Sequence, residues 1–398
     1  MDTVCHVITK LELGGAQEVA LYAVSHLDRR KFRPLLVAGS GGLLTDDAKA
    51  LPGVDVHILS SLSRRLHVVA DVVAFIELVR LFRRLRPTVV HTHSSKAGIL
   101  GRWAAWCARV PVIVHTVHGY GVTPAQPRWL RRILILVERM TGWITTHWIA
   151  VALADIERGI EWGLFARTQA SVVRPGIDPQ PFQTALDASS RQALRREFGA
   201  GPAEYLVGTV ACLKPQKAPA DFVAVAKRVC DIVPEARFVL IGDGELRPKI
   251  EALIAESGLQ DRLHLAGWRR DVSTAMKTFD AFLLTSHWEG LPRVLLEART
   301  IGLPVVATKV GGVEEVIVQG RHGWLSEAGD VAGLSAQLLH AFQHRGDSSP
   351  GAPSSAEPLQ KEFHLDEMVK QYESLYDRFL KARRGGKAPR SVWSNSHP

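Results

Sequence analysis

Short apolar runs alternate with amphipathic stretches along this 398-residue chain. Residues 4–9 read as a strand, 16–27 as the helix after it, and 34–38 as a second strand. Over 71–85 apolar residues recur at Val72, Phe75, Ile76, Val79 and Phe82, the spacing of one helical face, and Pro87 ends the helix. Residues 88–91, 112–115, 148–152 and 170–173 are further short strands, the last leading into the turn Arg-Pro-Gly-Ile-Asp at 174–178. The pattern then restarts. Residues 186–204 form a mixed helical and Gly/Pro connector, and strands are predicted at 205–211, 237–241, 263–266, 281–285 and 304–307 with helices between them. Strand–helix alternation twice over predicts two doubly wound α/β domains with mostly parallel sheets and right-handed crossovers.

The C-terminal part departs from this rhythm. Residues 346–358 are rich in Gly, Ser and Pro and read as a flexible loop. Residues 365–380 are helical, with Met368, Tyr372, Leu375 and Tyr376 on one stripe. The basic tail from Ala382 lacks apolar periodicity and is expected to be disordered.

Composition adds exclusions. With 46% hydrophobic and 22% charged residues the chain resembles a soluble globular protein. Cys5, Cys107, Cys212 and Cys230 form no C-x-x-C pair, so neither a zinc site nor a disulfide framework is expected, and scattered thiols fit a reducing cytoplasm. The amino terminus has no basic start and only a strand-length apolar run, so it does not read as a signal peptide. No uncharged run of about 18 apolar residues predicts a membrane helix. Charge is more informative: residues 61–139 hold 13 Lys and Arg against 3 Asp and Glu, a local excess of +10. A basic face of this kind suits phosphate in an anionic lipid or a phosphorylated substrate. Arg64, Arg65, Arg80, Arg83, Arg84 and Arg86 flank one helical segment; Arg128, Arg131 and Arg132 start another beside Trp129, Leu130, Ile133 and Leu134. Trp129 and Ile133 read equally well as core residues. No nucleic-acid motif accompanies the charge, so no nucleic-acid partner is expected.

Candidate chemistry falls at strand ends, where open α/β sheets bind ligands. Gly14 and Gly15 follow the first strand and precede a helix, which allows backbone amides to approach a phosphate. His91, His93 and Lys96 follow one strand, His115 and His118 the next. With no carboxylate or cysteine close in sequence, these histidines suit sugar hydroxyls and phosphate better than a metal. Lys214 and Lys217 follow the first strand of the second half and could neutralise a departing diphosphate. No Asp-x-Asp occurs, so no metal is expected. In His-Trp-Glu-Gly-Leu-Pro-Arg-Val-Leu-Leu-Glu-Ala, residues 287–298, Pro292 suits a first helical turn and the amides around Gly290–Arg293 suit an anion. Glu289 is placed in the loop and Glu297 two turns into the helix, about 12 Å apart at most.

Taken together these elements resemble the retaining glycosyltransferases of family four, which have the GT-B fold. The resemblance runs from Gly14-Gly15 to the last helix, and its most specific part is the E-x7-E pair Glu289 and Glu297. Residues 173–178 look like the interdomain turn, 241–247 like the nucleotide-side loop with Gly242, and 310–317 like the segment after the next strand. The resemblance implies two Rossmann-like domains, 1–180 on the acceptor side and 181–360 on the donor side. It also implies an interdomain cleft and a helix at 361–381 that returns to the first domain, before the tail 382–398. It further implies that Glu297 holds the donor ribose, Glu289 the donor sugar, and Lys217 the diphosphate. Amides of Gly15, Gly290, Leu291 and Arg293 would contact diphosphate or sugar, His118 would sit beside the transferred sugar, and His91, His93 and Lys96 would face acceptor or sugar. The expected substrates are a nucleotide sugar, a UDP-sugar by preference, and a saccharide or lipid-linked acceptor, with no cofactor. The expected location is the cytoplasm, peripheral on the inner face of the plasma membrane. Two departures matter: Ala211-Cys212 stands where the family often has Gly-Arg, leaving Lys214 to supply that phosphate contact, and Gln17 replaces an acidic residue. A sugar-nucleotide epimerase of related fold and a nonenzymatic nucleotide-sugar-binding protein are the competing readings.

Overall fold

A computed structural model describes residues 1–64, 67–123, 126–345 and 358–386. The chain divides into two compact units, one of Met1–Gly176 with the segment from Lys361, the other of Ile177–Gln360. The first is built on β1 (Asp2–Lys10), β2 (Phe32–Gly39), β3 (Asp55–Leu59), β4 (Val89–His93), β5 (Val112–Val117), β6 (His147–Ala150) and β7 (Ala170–Val172). These form one parallel sheet in the order β3-β2-β1-β4-β5-β6-β7. The second contains β8 (Tyr205–Val210), β9 (Ala236–Ile241), β10 (Leu263–Gly267), β11 (Ala281–Leu284), β12 (Val305–Thr308) and β13 (Gly323–Ser326), parallel in the order β10-β9-β8-β11-β12-β13. Strand order reverses between β1 and β4 and between β8 and β11, the switch points at which such sheets open a crevice for ligands.

The central strands are the apolar runs of the sequence because helices cover both faces of a parallel sheet. The edge strands β3 and β13 were not anticipated. An edge strand pairs on one side only, and Asp-Val-His-Ile-Leu and Gly-Trp-Leu-Ser lack the continuous apolar signal of a buried strand. The helix expected over 71–85 spans Val68–Leu85, with His67 capping Ala70 N–H at 3.2 Å. Its buried face is Ala74, Leu78, Leu81 and Phe82, whereas Val72 and Ile76 are exposed. That helix has two apolar stripes, and periodicity finds the helix without saying which stripe faces the core. The connector at 186–204 contains the helix Ala188–Glu197, and it is anchored in the second unit: the buried Arg195 guanidinium donates to the Thr278 carbonyl (2.7 Å) and to Asp280 (2.9 Å).

The last helix is Leu365–Arg384, so Ala382–Arg384, expected in a disordered tail, are helical. Leu365, Met368, Val369, Tyr372, Leu375, Tyr376 and Leu380 pack into one core with Val19, Ala23, Leu27 and Phe32 of the first unit. A fully buried apolar side chain contributes about 1.5–3 kcal/mol, which is why this helix holds without sequence-local support. Its start lies against the turn at 173–178; a Cβ on Gly176 would fall 2.2 Å from the His364 carbonyl carbon. Residues 346–357, within the expected loop, and 387–398 of the expected tail lie outside the described residues.

A buried ion pair braces the first unit. Arg102 on the helix Ser95–Cys107 is fully buried; it donates to Glu138 at 2.6 Å and to Thr145 at 3.2 Å, and lies 4.6 Å over the Trp148 ring. Gly98 on the same helix brings it against β5, since a Cβ there would fall 2.5 Å from the His115 ring.

Candidate functional site

Four loops meet at the carboxyl edge of the second sheet. The loop after β8 enters the one-turn helix Pro215–Lys217. The others are 242–247 after β9, 285–292 after β11 and 309–312 after β12. Backbone bonds lace them together: Leu213 N–H to Asp243 O (3.0 Å), Leu246 N–H to Leu213 O (3.0 Å), His287 N–H to Gln216 O (2.8 Å) and Gly312 N–H to Gly290 O (2.7 Å). Two glycines permit the crowding. Gly242, at φ 132°, would place a Cβ 2.1 Å from the Ala211 carbonyl, and Gly311, at φ 55°, would place one 2.1 Å from that of Glu289.

Within this frame Lys217 Nζ donates to Glu289 Oε1 at 2.5 Å, and the Ser286 hydroxyl donates to the same oxygen at 2.6 Å. Gln216 Nε2 reaches the Trp288 carbonyl at 2.8 Å and Glu289 Oε2 at 3.4 Å. The Thr285 hydroxyl holds the carbonyls of Lys217 and Ala218, each at 3.1 Å. A largely buried ammonium on a largely buried carboxylate is a charged site fixed by its surroundings. Pro292 is the capping residue and the helix runs Arg293–Ile301, so Glu297 is its fifth residue, one turn in rather than two. Part of the Glu289–Glu297 separation is therefore extended chain, and the all-helical span of about 12 Å does not bound it.

At the carboxyl edge of the first sheet the buried chemistry is a cluster of imidazoles, with the Lys96–Asp71 and Lys10–Glu12 pairs beside it. His6 on β1, His91 and His93 on β4, and His115 on β5 are buried, and His118 just beyond β5 is half-buried. His6 Nδ1 is 3.0 Å from His93 Nε2, and His93 Nδ1 is 3.0 Å from His118 Nε2. His91 Nε2 is 2.6 Å from the Thr116 hydroxyl and its Nδ1 is 2.5 Å from that of Tyr376, which in turn lies 3.4 Å from His6 Nε2. Burial pushes His6 down to about 3 and holds His91, His93 and His115 well below the ordinary histidine range, with neighbouring rings or Arg102 adding to the effect on the latter three. These rings are neutral at pH 7. Ring nitrogens of His6, His91 and His93 come within 4.8 Å of one another, the one such group of metal-ligating residue types among the described residues. The hydrogen bonds above already engage those nitrogens.

Comparison with known proteins decides what these edges belong to. Residues 13–181 match the family model Glycosyltransferase Family 4, and residues 190–349 match Glycosyl transferases group 1. The UDP-Gal:alpha-D-GlcNAc-diphosphoundecaprenol alpha-1,3-galactosyltransferase of Escherichia coli is 31% identical over 331 residues, 82% of this chain and 84% of that protein. The chain belongs to the family 4 glycosyltransferases. The capsular polysaccharide biosynthesis glycosyltransferase CapM of Staphylococcus aureus is 21% identical over 86% of this chain and 91% of its own. Among solved structures, HepE of Anabaena in complex with UDP and glucose matches with a TM-score of 0.81 at 19% identity, over 95% of this glycosyltransferase and 100% of that chain. Sucrose-phosphate synthase from Thermosynechococcus elongatus matches with a TM-score of 0.79 at 17% identity, over 96% and 100%. The expected GT-B fold is thereby shown.

In this glycosyltransferase Lys217 and Glu289 come together from 72 residues apart. Gly290 and Leu291 are buried beside them, Lys214 precedes the Pro215–Lys217 turn, and Arg293 opens the helix that holds buried Glu297. In the first unit Gly14 is the extended capping residue of the helix Gly15–His26. His91 and His93 correct the sequence reading. Both are fully buried with both ring nitrogens engaged, so they lie behind the surface and not on it to meet a sugar. Lys96 is paired with Asp71 of the neighbouring helix. His6 and Tyr376 were missed, because a lone histidine in a strand and a tyrosine in a core stripe give no sign of their shared cluster.

The basic span of the glycosyltransferase also carries exposed apolar residues. Trp129 is 64% and Ile133 49% exposed, so neither is core. With Leu136 and Met140 they form a stripe along the helix Arg128–Gly142, next to Arg128 and Arg132. Val68, Val69, Val72, Val73 and Ile76 are exposed on the helix Val68–Leu85, ahead of the exposed Arg80, Arg83 and Arg84. Arg65 lies outside the described residues. Among the described residues no helix is long and apolar enough to cross a membrane.

Proposed function

We propose that this glycosyltransferase moves a hexose from a UDP-sugar to a lipid-linked saccharide or polysaccharide acceptor, with retention at the anomeric carbon and without a divalent metal or other cofactor. The observation that carries the reading is the Lys217–Glu289 pair, set at 2.5 Å among the loops of the second sheet. As the bond from the anomeric carbon to the diphosphate breaks, negative charge collects on the departing phosphate. Lys217 leaves Glu289 for that phosphate, and Lys214 and the amides of Gly290, Leu291 and Arg293 add positive charge and donors. Glu289 then accepts from a donor-sugar hydroxyl, Glu297 from the ribose hydroxyls, and His118 meets the transferred sugar. Fixed cations do here what a metal held by an Asp-x-Asp would do.

The acceptor argument rests on the first unit and on the relative. The E. coli enzyme named above acts on GlcNAc-diphosphoundecaprenol. Exposed Trp129, Ile133, Leu136 and Met140 beside arginines suit the interface of an anionic membrane, where such an acceptor resides. Each arginine at that surface contributes about 1 kcal/mol.

The test is transfer from a panel of labelled UDP-hexoses to a synthetic saccharide-diphosphate-lipid in excess chelator, with the product anomer read by NMR. Turnover in chelator with the donor's anomeric configuration in the product is expected. Activity that vanishes in chelator and returns with magnesium overturns metal independence, and an inverted product overturns retention. Vesicle binding should rise with anionic lipid, fall with salt and disappear when Arg128, Arg131 and Arg132 become glutamate. Wild-type protein that ignores anionic vesicles at low salt overturns the membrane reading.

A further inference from the structure

The buried imidazoles of the first unit have no role in the chemistry above, yet they end on the residue placed beside the sugar. Four groups stand in file: the Tyr376 hydroxyl, His6, His93 and His118, with separations of 3.4, 3.0 and 3.0 Å. A neutral imidazole has one N–H and one lone pair, so each ring that accepts on one side must donate on the other. The file therefore has two self-consistent senses. In one, His118 Nε2–H donates to His93 Nδ1, His93 Nε2–H to His6 Nδ1, and His6 Nε2–H to the Tyr376 oxygen. Tyr376 then gives its own proton to His91 Nδ1, and His91 Nε2–H donates to Thr116. In the other, every proton is reversed and His118 carries its hydrogen on Nδ1. Neither His6, His93 nor His118 can change sense alone without leaving two hydrogens or two lone pairs facing each other between rings.

We infer that Tyr376, His6 and His93 are positioning residues that hold the orientation of His118 and tie its tautomer to the sense of the buried file. The parts are rigid. His6 and His93 lie on adjacent paired strands, with ring planes within 14° of each other and centroids 5.2 Å apart, and Tyr376 is clamped edge-on against Phe32 in the core under the last helix. Because burial keeps His6 and His93 neutral, the file transmits hydrogen-bond sense and not charge. It makes the C-terminal helix part of the machinery through a single hydroxyl. The inference rests on the proposed place of His118 beside the transferred sugar only for its effect on turnover.

The experiment combines histidine 15N spectra with steady-state kinetics on the full chain. In wild type His118 should show one protonated and one unprotonated ring nitrogen. Tyr376→Phe keeps the ring and its packing and removes only the hydroxyl; it should shift His118 towards a mixture of tautomers. His93→Leu should do so fully, and His93→Asn, whose amide sits near the Nδ1 position, should restore one tautomer. Turnover should fall about 10- to 100-fold in His93→Leu, the range for removing a group that orients an imidazole, with donor KM within about twofold. Unaltered His118 nitrogen shifts in both Tyr376→Phe and His93→Leu overturn the inference. So do wild-type shifts of His6, His91 and His93 that change when a chelator is added, since they would assign the cluster to a metal. Shifted tautomers with unchanged turnover uphold the file and remove His118 from the transfer step.

Discussion

The two sheets share a strand order through six strands, but their carboxyl edges differ in kind. The second presents a charged pair, Lys217 on Glu289, held by hydroxyls and loop backbone. The first presents buried neutral rings in a hydrogen-bonded file beside the Lys96–Asp71 pair, and keeps a second ion pair, Arg102 on Glu138, deeper in the unit. One switch point offers a fixed ion pair, the other rings that hydrogen-bond one another. The same topology supports both because the fold supplies loops and helix ends at these positions, while the side chains decide whether charge or tautomer is offered.

Glu138→Ala should produce the largest effect. It leaves the Arg102 guanidinium buried without its carboxylate, which costs about 3–5 kcal/mol. Hydrogen exchange should rise in peptides of the first unit and stay unchanged in those of 177–345. Equal protection in both variant and wild type would show that the pair does not brace the first sheet.

Lys217→Ala strikes the other edge. Removing one preorganised donor from a developing oxyanion costs about 2.7–4 kcal/mol, a 10²- to 10³-fold loss of kcat. Single-turnover rates at saturating donor measure it; a loss confined to donor affinity would make Lys217 a binding residue alone. Glu297→Ala should be milder, weakening donor by about 10- to 150-fold through a lost charge-assisted bond of about 1.5–3 kcal/mol. Calorimetric titration decides, and unchanged affinity would take Glu297 off the ribose.

Acid acts on the stability of the first edge. His6 titrates near its ordinary value of 6.5 when unfolded but near 3 when folded, so protons bind the unfolded chain preferentially. Stability from this ring is complete above pH 6.5 and is lost as pH falls from there towards 3, at about 1.4 kcal/mol per pH unit. His91, His93 and His115 are shifted in the same direction. Hydrogen exchange at pH 5 should therefore loosen the first unit before the second. Loss of protection in the second unit first would break the contrast between the two edges.

Legibility in the sequence followed the range of the interactions. The alternation of apolar runs with amphipathic helices reports period and length, both local properties, so the central strands, the final helix and the two doubly wound halves were open to reading. Lys217, Glu289 and Glu297 stand out as candidates in the sequence because each sits in a short segment whose order of Gly, Pro and charge is itself local. Burial side was not: Val72 and Ile76 mark a real helix yet face outward, because that helix has two apolar stripes and only the packing of Leu78 and Phe82 chose between them.

The sequence by itself determined the fold class and the family, and singled out Lys217 and Glu289 as candidates. Only the tertiary structure brought the histidines together. His6, His93, His118 and Tyr376 come from two strands, a loop and the last helix, up to 370 residues apart in the chain. A tautomer is set by which nitrogen faces which neighbour at about 3 Å, a quantity with no trace in spacing or composition.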